Sequence, residues 1–408
     1  MKEDKKRKVL RVFAIGILTS IIVTLASYLG YLDFIQRRAL DLMVWWKEEE
    51  KPSQMVIVTI DEEAFQYLGE RQPLPRKYLA SLINLINKCG ARVIGLDVEL
   101  KVRTDKDADT SITEAITDRT VLTYAVIPSS TEGLYIPTPL FIKDPNIIKG
   151  FANTYIDSDG LIRRTPLVLK DEGGNIMHSF ALAIFKRFTQ NNANKRVSID
   201  MHPEKALRIN YAGHSGSFPI YPSLPLFQME ERNIKPPSDN PFKDKIVLIG
   251  ATFKASRDFF LTPKGLMSGV EVQANIVHTL LTKGEVRAVS WIIGLLIQVS
   301  LSMIVGILFI TFRPLKAVII SLSGIFLFFV PLSYLAYSKG NYWVDFVLPV
   351  VAVAITSIAY DYLERKKIRE SFSQYVSSEV VEKIYRDESA LKGQRRTVTV
   401  LFSDIRGF

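Results

Sequence analysis

The sequence predicts an α/β domain over residues 33–288, set between the helices of an all-α membrane region of four spans. Three observations predict it. The block Ser290–Tyr362 holds three runs free of Asp, Glu, Lys, Arg and His: Trp291–Phe312, Ala317–Tyr337 and Phe346–Tyr360. Another uncharged run, Val12–Leu32, follows a basic start at Lys2, Lys5, Lys6, Arg7, Lys8 and Arg11. Between them, apolar runs of strand length alternate with amphipathic helical patterns, the signature of a layered α/β domain.

A helix needs roughly 20 apolar residues to cross a hydrocarbon core. The runs at 12–32, 289–312 and 317–337 meet that length, and the last meets it over 343–363 if Trp343–Asp345 and Asp361–Leu363 lie in the interface. Buried helices of a large soluble core are the competing reading, but such helices carry a polar stripe and these do not. Pro331 and Pro349 fit membrane helices, where neighbouring groups satisfy the freed carbonyls. Basic flanks stay in the cytoplasm, so residues 1–11 read as a cytoplasmic tail, and four spans return the C-terminus to the same side. Arg313–Lys316 and Arg365, Lys366, Lys367 and Arg369 agree with this; Arg37 and Arg38 oppose it. Residues 1–32 read alternatively as a signal peptide, although the uncharged run exceeds a usual signal core and no small-x-small site ends it.

At 408 residues the chain has room for two or three units, and 48% apolar content with a mean hydropathy of +0.13 suits a soluble domain joined to membrane helices. The net charge of +10 sits largely in the two cytoplasmic flanks, where it holds topology and meets anionic lipid. Basic and aromatic residues do not interleave, so no nucleic-acid partner is expected. The single cysteine, Cys89, excludes an internal disulfide framework and any cysteine-based zinc site. A transporter is disfavoured because its spans would carry ionisable groups.

Within the α/β domain, Asp33–Glu50 reads as a helix that packs Phe34, Leu40, Met43, Val44 and Trp45 and ends at Lys51-Pro52-Ser53. Met55–Ile60 and Arg92–Leu96 read as buried strands joined by a helix over Arg76–Cys89, a unit whose strands are parallel. Further strands are expected at Val121–Ile127, Gly150–Tyr155, Leu161–Lys170, Leu207–Tyr211 and Lys245–Gly250, and helices at His178–Thr189 and Gly269–Thr282. Asp157–Gly160 and Asp171–Gly174 are turn signals. Asp61, Asp97 and Thr252 follow strand ends, the edge where open α/β sheets bind ligands, so Asp61, Asp97, Arg76 and Thr252 form a candidate ligand-binding set. The ordinary alternatives are that Asp61 caps Glu62–Leu68 and that Arg76 is an exposed charge at a helix start. The four histidines, His178, His202, His214 and His278, are too scattered to suggest a metal site.

The segments VIVTIDEEAF, PLPRKYLASLINLINKCGARVIGLDVEL, KGFANTYIDSDGLIRRTPLV, DKIVLIGAT and GVEVQANIVHTLL resemble the type-two CHASE domain over about residues 33–285, and the resemblance extends to the spans that follow. It implies an extracytoplasmic sensor domain of a bacterial receptor in the plasma (inner) membrane. It implies no particular signal.

Past the last span, residues 364–396 read as a cytoplasmic transducer. Ile368, Phe372 and Tyr375 have the spacing of a short coiled-coil seam, and Ser377 reads as the N-cap of a helix over Ser378–Tyr385. A plain amphipathic linker is the alternative. Thr397–Phe402 then reads as a buried central strand that needs partners on both edges. FSQYVSSEVVEKI followed by RRTVTVLFSDIRGF resembles the entry to a class III adenylate or guanylate cyclase, with Ser378 where relatives commonly carry proline. By that resemblance residues 397–408 open a cyclase domain, in which Asp404 and the Ile405 carbonyl ligate two Mg or Mn ions that activate the ribose hydroxyl of ATP. The remaining catalytic groups are expected beyond Phe408, so these 408 residues alone are expected to be inactive and to need no cofactor. The implied assembly is a homodimer in the lipid bilayer; the other output weighed is a kinase or a protein-binding helix.

Overall fold

The computed structural model describes residues 2–190, 202, 205–234, 239–282, 284–373, 399, 401 and 402. The chain divides into two compact units, one of Met1–Asp33, Trp291–Val330 and Phe346–Phe408, the other of Phe34–Ser290 and Pro331–Asp345.

In chain order, α1 (Lys2–Tyr28) ends in a Schellman turn: Gly30 has φ 83°, its N–H donates to Ser27, and Tyr31 N–H donates to Ala26. Then α2 (Asp33–Trp46) stops before the expected Glu50 and buries Ala39, Met43 and Val44. Phe34 and Trp45, expected to pack, are 60% and 55% exposed because at 100° per residue they fall opposite the Ala39–Met43 face. The expected first strand is β1 (Met55–Ile60), buried throughout, followed by α3 (Glu62–Tyr67) and α4 (Arg76–Lys88). Gly90, with φ 75°, leads from α4 towards β2 (Val93–Asp97). Next come α5 (Lys106–Ala115), β3 (Thr120–Tyr124), β4 (Val126–Pro128), β5 (Leu134–Pro137), β6 (Ile148–Phe151) and β7 (Tyr155–Ile156). The turn Asp157–Gly160 closes onto β8 (Ile162–Pro166), followed by β9 (Val168–Asp171) and β10 (Ile176–His178).

Three expected strands are therefore each divided. Val121–Ile127 splits between β3 and β4, Gly150–Tyr155 between β6 and β7, and Leu161–Lys170 between β8 and β9, where Pro166 has no N–H to extend the ladder. The chain continues through α6 (Phe180–Thr189), β11 (Ala206–Arg208), β12 (Ile220–Pro222), α7 (Ser223–Glu231), β13 (Ile246–Ala251), β14 (Phe259–Thr262) and β15 (Gly265–Ser268). A capping box of Ser268 and Glu271 starts α8 (Gly269–Leu281), and β16 (Arg287–Ala288) precedes the apolar block. There lie α9 (Trp291–Thr311), α10 (Pro314–Gly324), α11 (Val330–Gly340), β17 (Tyr342–Trp343) and α12 (Val347–Ser373).

The larger unit is built on a six-stranded sheet in the order β12-β1-β13-β2-β3-β6, parallel throughout. As expected, β1 and β2 are parallel, but β13 lies between them. One face carries Val56, Val58, Ile60, Ile94, Leu96, Val247 and Ile249 against α3, α4, α5 and α7. The other lies under α6 and α8: a side chain at Gly95 would run into Phe180 and Ile184, and one at Gly250 into Val270. Both faces are covered, which is why the central strands read as continuous apolar runs.

The smaller unit is helical. Among the described residues, three helices are long and apolar enough to cross a membrane: Val9–Tyr28 and Trp291–Thr311 within this unit, and Pro314–Gly340, whose chain runs on into the larger one. The last contains a π-helical turn at Ile325–Phe329, where Pro331 removes a donor from the regular ladder. The fourth expected span, 343–363, is shorter than expected: Tyr342 and Trp343 are strand, α12 begins at Val347, and its apolar part runs Val347–Leu363. Polar side chains join these helices in pairs. Ser20 meets Ser302 at 2.8 Å, Thr19 meets Thr356 at 2.9 Å, and Thr24 donates to Gln298 at 2.7 Å.

Candidate functional site

The carboxyl edge of the sheet gathers three of the four candidates. In the register, Thr59 pairs with Gly250 and Gly250 with Asp97, so the chain leaves the sheet at Asp61, Thr252 and Asp97 from three adjacent strands. Asp61 is the N-cap of α3 and accepts from Ala64 N–H at 3.0 Å. Thr252 returns both its N–H (2.8 Å) and its hydroxyl (3.4 Å) to the Ile60 carbonyl.

Asp97 is different. Alternation along β2 puts it on the side of Gly95, towards α6 and α8, while Ile94 and Leu96 face α4. Burial pushes its carboxyl up to about 8, and the charges of Asp258 and Glu99 add to the shift. Asp258 is itself raised to about 6 by burial, with Glu99 contributing. Its carboxyl lies against Gly269 at the start of α8, where a Cβ would come within 2.2 Å of it, and its carbonyl accepts from Gly269 N–H at 2.9 Å. Glu99 is paired with Lys101. Asp258 and Glu99 escaped sequence reasoning because neither follows a strand end in a recognisable motif.

Arg76 lies on the opposite face, at the first position of α4. It is 2% exposed, so it is not the surface charge that a helix start suggested. Its Nη2 donates to the Val102 carbonyl at 3.3 Å and its guanidinium stands over Phe141, 5.6 Å from the ring centroid. Burial lowers its pKa, and Asp109 is the one charge that opposes the shift. Three of the candidates thus share an edge, Arg76 lies apart on the other face, and the four do not come together as one set.

Two further polar clusters tie the larger unit together. Arg163 binds Asp41, Asp157 and Asp159. Glu50 accepts from Lys47 at 2.6 Å and contacts the buried His278 at 2.8 Å, and these bonds lower its pKa to about 2. Among the described residues, no group of three or more His, Cys, Asp and Glu side chains is placed to hold a metal ion. Asp404, Ile405 and residues 374–398 lie outside the described residues.

The CHASE2 domain matches residues 17–311, from within α1, through the whole α/β domain, to the end of α9. The chain belongs to the CHASE2 domain family. CHASE2 is an extracellular sensor domain, so the six-stranded sheet and its covering helices are the sensing unit, and α1 and α9 are the apolar helices at the two ends of the match. Neither the comparison with curated proteins nor that with solved structures returned a match.

Proposed function

We propose that this chain is the sensing and membrane part of a receptor adenylate (or guanylate) cyclase of the bacterial inner membrane. In this reading α12 supplies a fourth span, its interfacial residues making up the missing length, and both termini are cytoplasmic. Residues 33–288 face outward, and two chains pair so that their cyclase domains meet. The observation that carries the sensing role is the CHASE2 match framed by apolar helices. The cyclase output rests on the likeness of RRTVTVLFSDIRGF to a cyclase entry, with Asp404 and the Ile405 carbonyl holding Mg or Mn beside ATP.

A route for the signal is at hand within the larger unit. β16, which precedes α9, pairs with β17, which lies between α11 and α12: Arg287 N–H donates to Asn341 at 2.9 Å and Val289 N–H to Trp343 at 3.1 Å. The Asn210 side chain donates to Asn341 at 3.0 Å and accepts from Lys47 at 2.8 Å. A change in the sensor that moves Asn210 or β16 would therefore reach the segment leading into α12, and a ligand shifts such an equilibrium only by its difference in affinity for the two states.

Two experiments test the reading. Reporter fusions at Gly150 and Arg395 should report opposite sides of the membrane; the same side for both sinks the topology. In the full-length receptor, deletion of residues 33–288 should abolish the response of cyclic nucleotide synthesis to its signal. Unchanged, still-regulated synthesis would remove the sensing role, and absence of any cyclase activity would favour a kinase or protein-binding output.

A further inference from the structure

Arg76 carries a charge that the fold buries and does not pair. Among the described residues, its Nε and Nη1 are both enclosed without a hydrogen-bond acceptor, and the third nitrogen has a single long bond to the Val102 carbonyl. Asp109, the charge that acts on it, makes no ion pair with it and is occupied otherwise: its carboxylate accepts from Thr104 N–H at 3.1 and 3.2 Å and from the Thr104 hydroxyl at 2.8 Å. A buried cation held by one long hydrogen bond is a costly arrangement, so its retention calls for an anion that the described residues do not supply.

A second observation converges on the same place. Arg76 is the first residue of α4, and that helix start is bare: the N-cap is Pro75, no side chain accepts from the first turn, and the first turn holds no acidic residue. The leading amides of a helix of 13 residues and their dipole are thus left for an acceptor from elsewhere. By contrast, α3, α5, α6 and α8 each have a side chain closing the start, from Asp61, Asp105, Ser179 and Ser268; α7, entered through Pro222, is bare like α4, but of the two only α4 has a buried, under-bonded guanidinium at its first position. Access lies through the irregular segment between β2 and α5, where Val102 is 66% exposed while its carbonyl touches the guanidinium beneath.

We propose that Arg76 and the bare N-terminus of α4 bind a small oxyanion, a carboxylate- or phosphate-bearing solute, under the Val102 segment. An oxygen of the anion takes the donors that Arg76 leaves open, and another accepts from the first amides of α4. Phe141 holds the guanidinium plane from the side. The proposal rests on the sensing reading for its consequence, because an anion entering beside Arg76 would displace the Val102 segment that now covers it.

The test is calorimetric titration of the full chain in detergent with inorganic phosphate and, separately, with succinate. Saturable binding of either, weakened about tenfold or more by Arg76→Met, is the expected result. Replacing a buried, under-bonded charge with a flexible apolar side chain should also raise the thermal midpoint of the ligand-free protein. No saturable binding of either probe, or equal affinity in wild type and Arg76→Met, overturns the site. If Arg76→Met does not fold, amide exchange in the wild type decides: slowing at Lys77 and Tyr78 on addition of the probe supports the site, and no slowing overturns it. Binding without any effect on signalling by the full-length receptor would sink the sensing consequence and leave the site; a receptor that responds to other signals but binds neither anion would do the reverse.

Discussion

Arg163 grips Asp41 with both arms of its guanidinium, Nε to Oδ1 at 2.7 Å and Nη2 to Oδ2 at 2.8 Å, joining β8 of the sensing domain to α2, the helix that follows the first apolar helix in the chain. The same guanidinium donates to Asp157 at 2.8 Å and to Asp159 at 2.9 and 2.7 Å. Arg38 stands 3.6 Å from Asp159 and Arg164 3.3 Å from Asp157, so three cations and three carboxylates balance one another.

Replacing Arg163 with Met should therefore be severe, because it strands three carboxylates of low exposure at once. The expected loss of unfolding free energy is about 3–5 kcal/mol, read by denaturant or thermal unfolding. Asp41→Asn should cost less, and the double substitution less than the sum, since both act on one network. Hydrogen bonds from Arg163 hold the Asp159 carboxyl well below the usual carboxylate range, so its contribution is present above the unfolded-state pKa and disappears as pH falls through the acid range.

The Asp97 carboxyl should act with the opposite sign. Its folded value of about 8 lies well above the ordinary carboxylate range, so the native state holds the extra proton and stability falls as pH rises from about 4 towards 8. Asp258, raised to about 6, adds to the same slope at its acid end. Asp97→Asn should flatten the profile and gain on the order of 1–3 kcal/mol over wild type at pH 8. Thermal midpoints of both proteins between pH 4 and pH 8 check this, and parallel profiles would count against it.

Gly150→Ala should be strongly destabilising for a reason that is purely steric. A Cβ there would lie 2.6 Å from the backbone N and Cα of Phe180, where α6 starts against β6, and backbone cannot swing aside as a flexible side chain can. A cost of about 3 kcal/mol, the upper part of the overpacking range, is expected in equilibrium unfolding.

In the helical unit, Ser20 and Ser302 should be close enough for a disulfide when both are replaced by Cys in a Cys89→Ser background. Their hydroxyl oxygens are 2.8 Å apart, and Gly16 lets α1 approach α9 so closely that its Cβ would be 3.2 Å from that of Ser302. Mild oxidation of membranes, followed by electrophoresis after cleavage between the two positions, should show the two halves linked. A pair placed on the outer side of α1, Leu18→Cys with Ser302→Cys, should stay unlinked.

Much of the architecture was legible from short stretches of chain. Met55–Ile60, Arg76–Cys89 and Lys245–Gly250 carry their periodicity and stop signals within a dozen residues, and each is found within a residue or two of its expected place. The cap at Asp61 and the turns at Gly160 and Gly174 were equally local, because an N-cap or a positive-φ turn is recognised by residue type. The first helix of the α/β domain stops at Trp46, short of Glu50, whose N–H goes to the distant Ala212 carbonyl, and Tyr342–Trp343 is strand because it pairs with Arg287 and Ala288.

By itself the sequence determined the central strands β1, β2 and β13, the helices α4, α6 and α8 and the apolar runs, and that Asp61, Asp97 and Thr252 would leave a sheet at its carboxyl edge. Only the tertiary structure decided that β13 slides between β1 and β2, that Asp97 turns towards Asp258 while Arg76 is buried unpaired on the other face, and that Arg163 collects three carboxylates. The physical reason is one of range. Local backbone preference acts over a few neighbouring residues, whereas burial and charge pairing also depend on side chains far apart in the chain, as Arg163 and Asp41 are.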